Sequence, residues 1–292
     1  MPRIPFDLSS ARPIAEALDI PCRIKVVDIG ANPIDDAPPY ARLMALGLAD
    51  IVGFEPNPAA LAELMAQKGP HETYLPHAIG DGGRHELKFC RAAGMTSLLE
   101  PNQALLAHIH GFSDWGEVTA REPVDTVRLD DVAETAGLDL LKIDIQGGEL
   151  MVFENAPDRL AGALVVQTEV EFVPMYHDQP LFAEIDRCLR GHGFLLHRFE
   201  PIISRMVKPL ALGGDVMAGM SQDLWTDAVY VKDFTKPELL SSRQLLKLAV
   251  ILHECYRSYD LALYFLRAHD QRVGSRYSAD YFAHIRAALE AG

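Results

Sequence analysis

Apolar residues along this chain come in two rhythms. Short runs rich in β-branched residues recur at 24–29, 50–55, 72–79, 138–144, 163–170, 193–199 and 227–232. Runs of that length and composition read as buried strands of a parallel sheet. Helical spacing is read between them at 38–47, 57–68, 149–156 and 179–190, and before them at 11–18. Asn57 is a candidate N-cap with Pro58 at the first helical position, and Gly69-Pro70 stops that helix. Segments 85–91 and 118–129 read as further strands, the first at an edge or in a hairpin. A helix capped around Asp130 is expected, and 92–117 reads as irregular with a short helix near 102–110. Strands alternating with helices predict an α/β, doubly wound, Rossmann-like sheet, mostly parallel. No clear helix separates the last two strands, so an antiparallel pair is expected there. Beyond residue 235 only helical spacing remains, over 239–257, 258–268 and 277–291. Leu245, Leu248, Leu252 and Tyr256 share one face of it, the pattern of a packed core. The expected organisation is a lead-in at 1–22, a ligand-binding domain at 23–235 and a helical extension at 236–292, the last a candidate docking or dimer element.

The chemistry gathers where strands end. Val26-Val27-Asp28-Ile29 closes on Gly30, which lets the backbone turn tightly and lets a ligand approach it. The strand at 50–55 ends in Glu55. Open parallel sheets bind ligands outside the carboxyl ends of their strands, and an acidic residue after the second strand commonly holds ribose hydroxyls. This half therefore reads as a nucleoside site. Asp144 ends the strand at 138–144, and Glu169 and Glu171 close the next with their side chains on one side. Three carboxylates there suit a general base or an oxygen-ligand metal site. Lys142, two residues before Asp144 on the same face, is a candidate ion-pair partner. Glu149 opens a helix, where a carboxylate favours the dipole. Gln146 is within reach of either ligand. Tyr176 and His177 follow in a loop able to cover an acceptor, and His177 has a base's pKa range.

Composition narrows the partners. The chain has 292 residues, 49% of them hydrophobic, and a net charge of −14. That balance argues against a broad nucleic-acid or anionic-membrane surface, which needs Lys and Arg. Cys22, Cys90, Cys188 and Cys255 stand singly and read as reduced thiols of a cytoplasmic protein. The N-terminus lacks the apolar run of a signal peptide, no stretch nears the ~20 apolar residues of a membrane span, and the histidines show no HExxH spacing.

Taken in order, Val27-Asp28-Ile29-Gly30-Ala31-Asn32, Gly53-Phe54-Glu55-Pro56, Ala78-Ile79-Gly80-Asp81, Leu129-Asp130-Asp131, Leu140-Leu141-Lys142-Ile143-Asp144-Ile145-Gln146-Gly147-Gly148-Glu149 and Thr168-Glu169-Val170-Glu171-Phe172 resemble the FkbM family of S-adenosylmethionine-dependent methyltransferases. The resemblance covers about 26–199 and does not reach the helical extension. It implies a seven-stranded methyltransferase fold and methyl transfer, typically to the hydroxyl of a sugar, a glycan or a secondary metabolite. It also implies the cofactor residues: Asp28, Gly30 and Asn32 for the amino-acid portion, Glu55 and Pro56 for the ribose. Ala78, Ile79 and Asp81 would meet the adenine, with Ser97 and Asp144 near the reacting centre. Asp144, Glu169 and His177 are the candidate bases, and a divalent metal, if used, would fall to Asp144, Glu169 and Glu171. Where the family carries a second glycine after Gly-Ala-Asn, this chain has Pro33 and Ile34, so the backbone's approach to the cofactor is expected to differ there.

Two other readings stay open. A nicotinamide-dependent oxidoreductase shares the sheet, but Gly30-Ala31-Asn32-Pro33 lacks the GxGxxG that brings a pyrophosphate to a helix N-terminus. A non-catalytic nucleoside-binding module would use the helical extension as its working surface.

Overall fold

The computed structural model describes residues 12–31 and 37–291, which fall into two compact units. One comprises 12–26, 37–50 and 233–291; the other comprises 27–31 and 51–232. Among the described residues ten strands form: β1 (Ile24–Ile29), β2 (Ala49–Phe54), β3 (Glu72–Leu75), β4 (Ala78–Ile79), β5 (Arg84–Cys90), β6 (Val118–Val127), β7 (Leu140–Ile143), β8 (Val165–Glu171), β9 (Phe194–Arg205) and β10 (Gln222–Lys232). Seven of them make one sheet in the order β3-β2-β1-β7-β8-β10-β9. The order reverses between β1 and β7, the place where such sheets hold ligands. β2 with β3 and β7 with β8 pair parallel, and β10 runs antiparallel to both β8 and β9. The expected antiparallel pair is present, with β10 inside the sheet and β9 at its edge.

The apolar runs do what their composition dictates. Val27, Ile29, Leu141, Ile143, Val166 and Val170 are all buried in the main core. Each such side chain contributes on the order of 1.5–3 kcal/mol by leaving water. Asn57 caps the helix Pro58–Gln67 as its sequence predicts, its Oδ1 accepting from the N–H of Ala59 (2.9 Å) and of Ala60 (3.2 Å).

Two elements differ from expectation. The single strand read at 72–79 is two: β3 joins the main sheet, while β4 pairs with β6 in a separate three-stranded sheet, β4-β6-β5. Pro76 lies between them, and proline has no N–H for the ladder. The helix expected after Asp130 is two 3-10 turns, Leu129–Asp131 and Ala133–Thr135. Asp130 caps something else: its two oxygens accept from Asp158 N (3.0 Å) and Arg159 N (2.9 Å), at the start of a helix Pro157–Gly162 that the periodicity did not reveal.

In the other unit, helices Ser242–Glu254, Tyr259–Val273 and Tyr277–Ala291 bury Leu245, Leu248, Leu252 and Tyr256. Ser241 and Gln244 cap the first reciprocally. Glu254, buried, accepts from Ile14 N at 2.8 Å and pairs with Arg42. None of the described helices is long and apolar enough to cross a membrane.

Candidate active site

Gly30 is where the local backbone becomes special. Its φ is +82°, and a Cβ there would sit 2.1 Å from the carbonyl oxygen of Asp144. Only glycine lets the end of β1 lie this close to the residue that follows β7. The Asp144 N–H in turn donates to the Ile29 carbonyl at 3.0 Å. The two strand tips are thus stitched together by backbone.

Asp28, buried on β1, pairs with Lys142 on β7, Nζ to Oδ1 3.4 Å, and that Nζ also donates to the Gly30 carbonyl at 3.3 Å. Lys142 therefore serves Asp28 directly, and Asp144 is a longer-range neighbour. Burial opposes its charge, but Asp28, Asp144 and Asp227 outweigh that and raise its pKa. Glu55 is buried immediately after β2, and its Oε1 accepts from Asn57 N at 2.7 Å. Burial raises its pKa against the pull of that backbone bond. Pro56 is exposed beside it, and Asn32 lies outside the described residues.

Ile79 is buried in β4 with Ala78 before it. Asp81 lies just beyond, its Oδ1 taken by the turn: Gly83 N at 2.8 Å, His85 Nε2 at 2.8 Å and Thr126 Oγ1 at 3.2 Å. The His85 bond is the main reason its pKa falls to about 2.

Carboxylates crowd together at β7 and β8. The parallel register pairs Ile143 with Thr168, so Asp144 and Glu169 come level on adjacent strands. Gln146 joins them: its Nε2 donates to Asp144 Oδ1 at 2.9 Å and to Glu169 Oε2 at 2.6 Å. Gln146 itself sits at φ +58°, a left-handed conformation uncommon outside glycine. Two clamps hold it. Ser97 Oγ, buried, donates to its carbonyl at 2.7 Å. The Glu149 carboxylate takes the N–H of Ile145 (2.8 Å) and of Gly147 (2.9 Å) on either side. Glu149 thus binds the loop before its helix, beyond favouring a dipole.

Burial, then the charge of Asp144, pushes the pKa of Glu169 well up. Glu171 rises too, from burial and then Glu149 and Asp144, and its Oε1 is enclosed without a hydrogen-bond partner. Asp227 on β10 stands opposite Glu169 in the antiparallel register and accepts from Gln167 Nε2 at 2.7 Å. Among the described residues, no group of three or more His, Cys, Asp or Glu side chains is placed to hold a metal ion, Asp144, Glu169 and Glu171 included.

Tyr176 is fully buried, in a second core cluster with Met95, Leu106, Phe112 and Leu224. Its hydroxyl lies 3.1 Å from Gln146 Oε1 and 3.2 Å from the Met95 carbonyl. His177 next to it is exposed, with its backbone N–H donating to the Glu100 carbonyl at 2.8 Å. Asp144, Glu169 and Ser97 are therefore brought together around Gln146, and His177 has no contact with them. Sequence reasoning gave Gln146 no definite role and treated Tyr176 as a loop cover. The available signal was a glutamine beside a Gly-Gly turn, where a left-handed backbone is common.

The profile of the methyltransferase FkbM domain matches residues 28–196, more than half of the chain and all of the strand tips just described except those of β9 and β10. The chain belongs to the FkbM methyltransferase family. As a member it is an S-adenosylmethionine-dependent methyltransferase. Among curated proteins it is 29% identical, over 215 residues, to the 2-O-methyltransferase NoeI of Sinorhizobium fredii (strain NBRC 101917 / NGR234), covering 70% of this chain and 83% of that protein. Solved structures similar to it include precorrin-6y C5,15-methyltransferase from Geobacter metallireducens GS-15, at 14% identity and TM-score 0.35 over 75% of this chain and 85% of that one. Magnesium protoporphyrin IX methyltransferase (ChlM) from Synechocystis PCC 6803 with bound SAM matches at 12% identity and TM-score 0.35 over 75% and 76%.

The residues present suit the cofactor. A buried carboxylate at the second strand's end can accept from vicinal hydroxyls. Asp28, compensated by Lys142, offers a negative partner for an ammonium, and Asp81 keeps its Oδ2 clear of the turn's hydrogen bonds.

Proposed function

We propose that this methyltransferase acts on a hydroxyl oxygen, of a sugar, a glycan or a secondary metabolite, with Asp144 as the proton acceptor. The observation that carries this is the pair of carboxylates on adjacent strand tips, bridged by one amide beside the Gly30 turn. The 2-O-methyltransferase relative supports an oxygen acceptor. Asp28 and Glu55 hold the cofactor, whose sulfonium supplies a methyl group that is already electrophilic. The protein's task is then to place the hydroxyl and to take its proton.

Asp144 is half-buried, beside the more enclosed Glu169. It accepts the hydroxyl hydrogen bond, aligns the oxygen lone pair and takes the proton as the oxygen–carbon bond forms. Orientation of reactants contributes up to ~7–11 kcal/mol, and a positioned base ~10²–10⁴-fold in rate. Glu169, which burial and neighbouring charge favour in its protonated form, limits repulsion against Asp144. The exposed His177 takes no part in this scheme.

Asp144→Asn should keep cofactor affinity within about threefold while lowering turnover by ~10²–10⁴-fold. Calorimetry with S-adenosylhomocysteine and labelled methyl transfer to a panel of methyl glycosides measure the two. Full turnover in the variant would remove Asp144 as the base.

A further inference from the structure

Gln146 combines an unfavourable backbone with a side chain whose every polar atom is engaged. Left-handed φ in a residue other than Gly, Asn or Asp costs roughly 1–2 kcal/mol and persists where surrounding contacts over-determine it. Here those contacts are Ser97 on its carbonyl and the Glu149 carboxylate on the N–H groups of Ile145 and Gly147. An amide's two N–H groups donate and its oxygen accepts. With two carboxylates on one side and a hydroxyl on the other, only one orientation of the Gln146 amide satisfies all three partners. The carboxylates demand the N–H side of the amide, and Tyr176 supports that orientation from a fully buried position: its hydroxyl, within reach of Gln146 Oε1 and the Met95 carbonyl, can donate to the amide oxygen left facing it.

We propose that Gln146 is a positioning residue for methyl transfer: its amide fork spaces and aims Asp144 and Glu169, and the Tyr176 hydroxyl backs the amide oxygen. This rests on the assignment of Asp144 as base. Neighbouring strands lie ~4.8 Å apart, so two bare carboxylates at this level would compete for one proton. The bonds from the Gln146 amide set the spacing and direction of the two carboxyl groups, and with the proton held on the enclosed Glu169, Asp144 is left to receive one from the acceptor. The other groups facing the pair are Glu171 on β8, Glu149 on the following helix, Asp227 on β10, and Lys142 with Asp28 on β7 and β1. Lys142 is the cation of that set, and Asp28 is its contact.

The decisive variants are Gln146→Gly and Tyr176→Phe, read beside Asp144→Asn. Glycine accepts φ +58° without strain, so Gln146→Gly keeps the loop and removes only the fork. The expected result is unchanged or higher Tm, S-adenosylhomocysteine affinity within about threefold, and KM for a methyl glycoside within about threefold. kcat should fall about 100-fold, the scale of a small misplacement of reacting groups. The acid limb of the kcat profile should move to higher pH, because the fork's N–H groups no longer offset negative charge on the carboxyl pair. Tyr176→Phe should move the same two quantities the same way by about tenfold in kcat, as the amide oxygen loses its buried donor and the fork is held less firmly. Independently of any acceptor, ¹³C-carboxylate NMR of Glu-labelled protein should show the Glu169 midpoint rising further in Gln146→Gly, since the amide N–H it loses favours the ionised form. An unmoved midpoint overturns the proposal whatever the turnover. Wild-type kcat and pH limb in Gln146→Gly, with Asp144→Asn inactive, overturn it too and leave the base assignment standing. Full turnover in Asp144→Asn fails the base assignment instead, and the NMR midpoint then decides for Gln146.

Discussion

The two halves of the strand-tip crevice handle negative charge in opposite ways. At β1 and β2 the carboxylates are separated, each with its own local partner: Asp28 has Lys142, and Glu55 has the Asn57 N–H. At β7 and β8 the carboxylates face one another: burial and then the charges of Asp144 and Glu149 raise the proton affinity of Glu169 and Glu171, and burial with Asp144 raises that of Glu149. Separated carboxylates suit the holding of hydroxyls and an ammonium, which needs stable negative charge. Crowded ones suit proton transfer, which needs groups whose charge state can change at modest cost.

The contrast is broken most forcefully from the cofactor side. Glu55→Ala should weaken S-adenosylhomocysteine binding by at least about 100-fold, since hydrogen bonds to a charged acceptor contribute ~1.5–3 kcal/mol each. Calorimetry reads it, and undiminished affinity would remove the ribose assignment. Asp144→Asn should do the reverse, sparing affinity and losing turnover, so the two variants together test whether binding and chemistry are divided as described.

Gly30→Ala attacks the seam between the halves. The added Cβ meets the Asp144 carbonyl and a φ of +82°. A loss of at least ~2 kcal/mol in stability is expected from strain and clash together, seen as a lower denaturation midpoint in urea. A midpoint equal to wild type would show that the two tips can separate freely.

The smallest effect concerns the crowded half alone. Glu149 ordinarily ionises near 4.5, and burial pushes it up to about 7 in the folded protein. The native state thus keeps a proton that the unfolded chain has released, so this contribution is full below about pH 4.5 and is lost as pH rises through about 7. Glu169 and Glu171 act with the same sign. Glu149→Gln keeps one acceptor for the Ile145–Gly147 turn and cannot ionise. Its stability deficit at about pH 5 should therefore narrow or reverse by about pH 8, by on the order of 1–3 kcal/mol. Parallel urea curves for the two proteins across that range would contradict the raised Glu149.

Much of this fold was legible because strong local signals agreed with the tertiary outcome. The β-branched run at Ile24–Ile29, the Asn57-Pro58 cap and the three helices after 236 all appear where the chain announces them. The split of 72–79 into β3 and β4 was written in Pro76, whose missing N–H outweighs the apolar run around it. The helix Pro157–Gly162 was illegible because its cap, Asp130, comes from 28 residues earlier.

By itself the chain determined which residue types stand at the strand ends: Asp28 and Gly30, Glu55, Asp144, Glu169. Period-two alternation and glycine placement are local, so they can be read one residue after another. Only tertiary structure decided who answers to whom. Lys142 belongs to Asp28, Glu149 to the loop before it, and Gln146 to two carboxylates and a buried tyrosine 30 residues away. Those pairings depend on strand order, register and burial, which arise when distant segments share one low-dielectric space.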